Sequence, residues 1–201
     1  MMSEFQYVEL SNAYVGQDVL QKFNCGHPDF NDFLAYDAIE CSSNGDGVTY
    51  VLVDKEEYEN KRISVIFAFA TIQATALQYY DFRNNEKIYS ISGIEIKYFA
   101  IAKKFHRQIA YLIDSSKYYS TIFFEWLLAD LYEISTKVIG FQAIFLRANE
   151  KGEKLYRRKK FVDATKYIIP YEEDDVLGKC TPMCLMIKDN IYSIFGIDEI
   201  K

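Results

Sequence analysis

Apolar and polar positions change period several times along this 201-residue chain, and each change marks an element. Tyr7 to Leu10 reads as a short opening strand. After the motif FNCGHPDFND, apolar Phe30, Phe33, Leu34 and Ala38 recur at helical spacing. They predict a helix over Phe30 to Cys41, with Pro28 near its start, where a missing N–H costs little. SSNGDG (Ser42 to Gly47) reads as a turn, and TYVLVD (Thr49 to Asp54) as a strand of aromatic and β-branched residues. KEEYENKR is a polar connection to SVIFAFATIQ (Ser64 to Gln73), which is apolar on both faces and therefore central, and these two strands are expected to form a hairpin.

A polar, aromatic excursion from Tyr79 to Tyr89 leads into the strand IEIKYFAIA (Ile94 to Ala102). A loop carrying Lys103, Lys104, His106 and Arg107 follows. From about Tyr118 to Ser135, the residues Tyr119, Ile122, Phe123, Trp126, Leu127, Leu131 and Ile134 return at intervals of three and four, the mark of a long amphipathic helix. FQAIFLRA (Phe141 to Ala148) is a strand. NEKGEKLYRRKK (Asn149 to Lys160) is a helix capped by Asn149, with Glu150–Lys154 and Glu153–Arg157 as favourable four-apart pairs. FVDATKYIIP and TPMCLMIK read as closing strands, and the tail DNIYSIFGIDEI is apolar enough to dock on the body or on a second subunit, so a homodimer is a candidate assembly. With no repeat, low-complexity tract or Pro/Gly/Ser linker, residues 1–201 are expected to form one domain of the α+β class, an α/β sandwich.

The net charge of -6 argues against a chain whose main work is gripping a polyanion, although a local basic patch stays open. The start MMSEFQYVEL lacks the cationic and apolar regions of a secretory peptide, and no apolar run approaches the roughly 18 residues of a membrane span, so a cytoplasmic protein without membrane contact is expected. Cys25, Cys41, Cys180 and Cys184 fit a reducing compartment. A zinc site from Cys180, Cys184, Cys25 and His27 is conceivable, but the spacing is not that of paired knuckles, and no metal is expected.

A strand, a cationic loop and a Ser-rich helix start are the usual parts of an anion seat, because the first N–H groups of a helix have no internal partner. The order of elements, with FNCGHPDFNDFL, TYVLVD, SVIFAFATIQ, EIKYFAIAKKFHRQ and ANEKGEKLYRRKKFVD, resembles the GNAT superfamily of acyl-CoA-dependent N-acetyltransferases over about Phe23 to Ile187, and most of all its bacterial branch of acetyltransferase toxins. The resemblance implies a mixed central sheet of six or seven strands flanked by helices. In that sheet the strand Tyr98 to Ala102 splays from the strand Ala143 to Ala148, parting at Ala100 and Ala143, to form a cofactor cleft. It also implies acetyl-CoA as co-substrate, with pantetheine amides paired to backbone at Phe99, Ala100 and Ile101, contacts from Asn149, and the diphosphate on the following loop and helix start.

One departure bears on that seat. The superfamily's glycine-rich loop falls on HRQIAY, where Arg107, Ile109 and Tyr111 stand in place of glycine or another small residue. Either the seat has shifted to the amides of Tyr119, Ser120 and Thr121, helped by the hydroxyls of Ser115, Ser116 and Ser120 and by His106 and Arg107, or the site has decayed.

In KLYRRKKF the resemblance places Tyr156 beside the thioester sulfur as general acid, with Gly152 at an alanine position and Lys160 at a glycine position. Glu95 is the best-placed base, or else a cross-strand ion pair near Lys97, and His106 is the substitute base. His27 reads as structural. No cysteine nucleophile is required. The acceptor implied is a primary amine on a small molecule, a peptide or, as in the toxins, an aminoacyl-tRNA, for which Lys151, Lys154 and Arg157 to Lys160 would supply a basic face. The alternative is a binding module of the same fold that has lost catalysis.

Overall fold

The computed structural model describes residues 5–81, 87–165 and 180–187, with backbone only at 78–81 and 87–89. Seven strands are ordered β1-β2-β3-β4-β7-β9-β8 in a mixed sheet, as expected for an α+β fold of this type. They are β1 (Phe5–Glu9), β2 (Val48–Asp54), β3 (Ala68–Asp81), β4 (Lys87–Ile101), β7 (Ala143–Ala148), β8 (Val162–Asp163) and β9 (Thr181–Met186). A separate two-stranded sheet consists of β5 (Ile109–Ala110) and β6 (Asp114–Tyr118). The chain forms two compact units, one of Met1–Gln73 with Lys97–Leu127 and one of Ala74–Ile96 with Leu128–Lys201.

In the first unit, β1, β2 and the start of β3 pair antiparallel, with Val48 opposite Ile72 and Phe5 opposite Asp54, which confirms the expected hairpin. Thr49 and Thr71, opposite each other and fully buried, share a 2.8 Å hydroxyl hydrogen bond, so neither polar group is left unsatisfied. Three short helices precede β2, namely α1 (Gln17–Lys22), α2 (Pro28–Asp32) and α3 (Ala38–Asn44). The helix expected over Phe30 to Cys41 is thus α2 and α3 joined by a π-helical turn, Phe33–Asp37, in which Ala38 donates to the Phe33 carbonyl. A left-handed Gly45 ends it at φ 79°, a conformation that glycine adopts at no steric cost.

Several expectations need correction. The segment read as a polar connection contains a short helix, α4 (Lys55–Glu59), capped where the Asp54 side chain accepts from the Glu57 amide. β3 begins at Ala68 rather than Ser64 and runs on to Asp81, and β4 begins at Lys87, so the excursion at Tyr79 to Tyr89 is largely the far end of these two strands. Tyrosines and polar residues in a long arm obscure the alternation that would mark it. α1 escapes notice because six residues carry too few turns to show a period.

The second unit contains the β4–β7–β9–β8 part of the sheet. Gly93 to Ile96 run parallel to Ala143 to Leu146, and β9 lies antiparallel on β7 along its whole length. Gly93 is enclosed: a Cβ there would meet the Ala143 carbonyl oxygen at 3.1 Å. Leu77, Ala143, Phe145 and Ala164 form this unit's core cluster. Of FVDATKYIIP, only Val162–Asp163 is seen as strand, and the remainder beyond Thr165, like the apolar tail, lies outside the described residues. The long helix α5 (Tyr119–Lys137) and the capped helix α6 (Glu150–Arg158) fall where the periodicity put them.

Candidate active site

In the first unit, the early motif and the end of β4 are built around Tyr98. Phe30 meets its ring edge-on at 5.2 Å and Phe33 lies 4.3 Å away. Backbone links hold the motif to the loop after β4: Asn24 accepts from Lys103 N–H at 2.8 Å, while the Asn31 side chain accepts from Cys25 N–H. The half-exposed His27 ring lies tilted 4.9 Å from Phe30, with Nδ1 3.8 Å from Asp29. Phe99 packs on Phe124 of α5, Ala100 is buried, and Ile101 ends the strand.

The parallel ladder between β4 and β7 stops at Ile96 and Leu146, although β4 continues to Ile101. Pairing therefore ends before Lys97 rather than at Ala100, and Ala143 is where the ladder begins. The segment Phe99 to Ile101 lies wholly beyond it. A strand that outruns its neighbour carries backbone donors and acceptors that an amide-bearing ligand can match.

After Ile101 the loop turns back. Lys104 lies over the rings of Phe67 and Phe105, at 5.2 and 5.0 Å, so its charge is seated on aromatic faces. The ring Nε2 of exposed His106 donates to the Ile101 carbonyl at 3.1 Å. Arg107 adopts φ 56°, the left-handed conformation that glycine would supply in the resembling loop. Between this loop and the long helix the chain forms the β5–β6 hairpin, after which α5 starts at Tyr119. Its first amide is not open: Tyr119 donates to the Gln108 carbonyl at 3.0 Å. Of the three amides proposed for the anion seat, Ser120 and Thr121 remain candidates.

Ser116 also turns elsewhere. Its amide and hydroxyl both bond Asp114 and hold that carboxyl below the usual carboxylate range. Lys117 reaches Glu125 at 3.0 Å and Asp114 at 3.8 Å, tying the hairpin to the helix.

In the second unit, α6 explains the spacing of LYRRKKF. Phe161 N–H bonds the Tyr156 carbonyl at 3.1 Å, Lys160 N–H bonds Arg157, and Lys160 takes φ 67°. These are the two bonds and the left-handed residue of a Schellman ending, and the Tyr156–Phe161 ring contact at 6.0 Å is its apolar clasp. Tyrosine, a left-handed residue four positions on and an aromatic one after that are therefore one structural device. Like Arg107, Lys160 keeps the backbone of glycine without being glycine.

The Tyr156 ring leans over Gly152, where a Cβ would come within 2.9 Å of Cε2. Burial, with a smaller push from Cys180, raises the phenol well above its ordinary value. Asn149 caps the helix as expected, its Oδ1 accepting from Gly152 N–H at 2.8 Å.

Glu95 and Arg147 project from β4 and β7, with Arg147 two residues beyond Phe145, the partner of Glu95 in the ladder. Arg147 Nε is 3.8 Å from Glu95 Oε1, and the side chains are 11% and 12% exposed. Glu95 is therefore ion-paired across strands, with Arg147, as the cross-strand alternative expected. Nothing in the sequence announces this pair, because only the strand register joins positions so far apart. Burial pushes the Cys25 and Cys184 thiols up, away from nucleophilic thiolates. Among the described residues, no three His, Cys, Asp or Glu side chains converge to hold a metal ion.

No protein-family profile and no curated protein matches the chain. Solved structures do. A bacterial toxin aligns at TM-score 0.70 and 13% identity, covering 99% of each chain. AtaT complexed with acetyl-methionyl-tRNAfMet aligns at TM-score 0.64 and 16% identity, over 96% of this chain and 99% of that one. A tyrosine-to-phenylalanine mutant of the AtaT toxin, bound to acetyl-CoA and the C-terminus of the antitoxin AtaR, aligns at TM-score 0.61 and 16% identity, over 95% and 98%. At these identities the likeness is one of fold, and the fold is the GNAT-like one to which the motifs pointed.

Proposed function

We propose that this chain is an N-acetyltransferase that moves an acetyl group from acetyl-CoA directly to a primary amine. The observation that carries this reading is the run of β4 from Lys97 to Ile101 beyond the end of its ladder with β7. Backbone at Phe99, Ala100 and Ile101 would pair with the pantetheine amides and donate to the thioester oxygen, with Asn149 as a further pantetheine contact. Arg107 and the amides of Ser120 and Thr121 would meet the diphosphate, and His106 borders that path. The presence of acetyl-CoA in a neighbouring structure supports the choice of donor.

In this reading the amine nitrogen attacks the thioester carbonyl carbon, and the oxygen takes up negative charge against backbone N–H groups. The C–S bond then breaks. Tyr156 gives its proton to the departing thiolate, and the amine's surplus proton passes to Glu95. Solvent returns the proton from Glu95 to the phenolate, which leaves the amide and free thiol as products.

The test is a thermal-shift series with acetyl-CoA, coenzyme A and ATP. Acetyl-CoA and coenzyme A are expected to stabilise the protein and ATP to do so far less; equal shifts, or none, refute the donor. Tyr156→Phe is expected to keep the acetyl-CoA shift and lose at least about a hundredfold in turnover, the usual scale for a positioned acid.

A specific observation favours one acceptor. Lys151, Lys154 and Arg158 are exposed along α6, the helix that carries Tyr156, and offer phosphate contacts despite the acidic whole. An aminoacyl-tRNA amine fits that placement, and the AtaT complex with acetyl-methionyl-tRNAfMet supports it. Acetylation of charged tRNA should then fall steeply with salt and with Lys154→Ala/Arg158→Ala, whereas acetylation of a small amine should not.

A further inference from the structure

The loop after β4 already fills hydrogen-bonding places that the acyl donor would use. Ala102 N–H donates to the Phe67 carbonyl at 2.9 Å, which directs that residue's amide to the β3 edge of the strand. Successive residues of a strand direct their polar groups to opposite edges, so the Ile101 carbonyl points away from Phe67. There it accepts Nε2–H of His106 at 3.1 Å. The same loop covers a second place, because the Gln108 carbonyl accepts the N–H of Tyr119, the first residue of α5. A carbonyl oxygen at that point also puts partial negative charge where an anion would approach. Between the two contacts stands Arg107 in the left-handed conformation, which a residue with a Cβ adopts only at a cost.

We infer that His106 to Gln108 form a displaceable cover of the donor site. The His106 imidazole stands in for a pantetheine N–H at Ile101, the Gln108 carbonyl occupies the start of α5, and the donor binds by displacing both. This rests on the acetyl-CoA reading above. His106 is exposed, so it can leave the strand without opening the core. Arg107 supplies a hinge already outside the ordinary backbone regions. Donor affinity is then reduced by the fraction of molecules in which the cover is closed.

The experiment is calorimetric titration of the full chain with coenzyme A and with acetyl-CoA, for the unmodified protein, His106→Ala and His106→Gln, with stopped-flow association rates for each. His106→Ala removes one hydrogen bond that competes with the donor and should tighten coenzyme A binding about fivefold while speeding association. His106→Gln keeps an N–H donor and should behave like the unmodified protein. Weaker binding by His106→Ala would make the imidazole a direct contact of the donor and overturn the cover, and so would unchanged affinity and rate. Failure of all three proteins, the unmodified one included, to bind either compound would instead overturn the acetyl-CoA reading and the cover with it.

Discussion

Removing either charge of the Glu95–Arg147 pair should be costly, and removing both should not. At 3.8 Å and an effective dielectric of about 20, the attraction between the two groups is ~4 kcal/mol. Bringing each out of water costs several kcal/mol, so the net value of the intact pair is small. A single change leaves that cost in place and removes the compensating charge. Arg147→Met should therefore destabilise the protein by about 3 kcal/mol and Glu95→Gln by a comparable or smaller amount, while Glu95→Gln with Arg147→Met should recover at least about 2 kcal/mol of their sum. Urea unfolding of the four proteins at pH 7 measures the coupling. Single-variant losses below about 1 kcal/mol, or additive losses, would refute the placement of this pair in a protected site between β4 and β7. The same set bears on chemistry: if Glu95 takes the amine proton, Glu95→Gln alone and the double variant lose turnover alike, and restored stability does not restore rate.

Asp130 on α5 has its carboxyl raised to about 6, chiefly by burial and secondarily by Glu133. Well below its ordinary value of 3.8 it is neutral folded or unfolded and contributes nothing. As pH rises through 4 to 6, the unfolded chain ionises first and the folded state loses ground. Asp130→Asn should melt higher than the unmodified protein at pH 8 and at nearly the same temperature at pH 3.5; the residue is partly in water, so the gain is modest, and a gain equal at both pH values would refute its origin. Lys160→Gly should stabilise by about 1 kcal/mol in denaturant, because the φ of 67° ceases to oppose a side chain. A loss of stability there would mean that the Lys160 side chain contributes more than its backbone costs.

What the sequence reveals here depends on how far apart the interacting positions lie. The Asn149 cap and the α5 stripe are local, and they were legible because three- and four-residue intervals are written directly in the chain. Arg107 and Lys160 are more instructive. Both break the resembling motifs by residue type and satisfy them by backbone angle, so a degenerate glycine position was a worse guide than the turn around it. The Glu95 partner and the early end of the β4–β7 ladder depend on register between distant strands, which no local period encodes. The Tyr119 amide was expected to be open because helix starts usually are, and only the loop's own carbonyl, at Gln108, removes it.

The π turn at Phe33–Asp37 carries one extra residue within a helical run, and its effect is angular. Each residue advances an ordinary helix by about 100°, but this turn takes up one residue without that advance, so deleting one here would restore an ordinary turn and leave the helix downstream in phase. Without the bulge, the same extra residue would carry everything after it round by that angle, so Ala38, wholly enclosed, owes its inward face to the turn while Phe30 and Phe33 face Tyr98. The aromatic clasp and the base of the following helix are thus kept in one phase across an extra residue. Changes in length are tolerated on neither side of that dislocation unless they restore the offset.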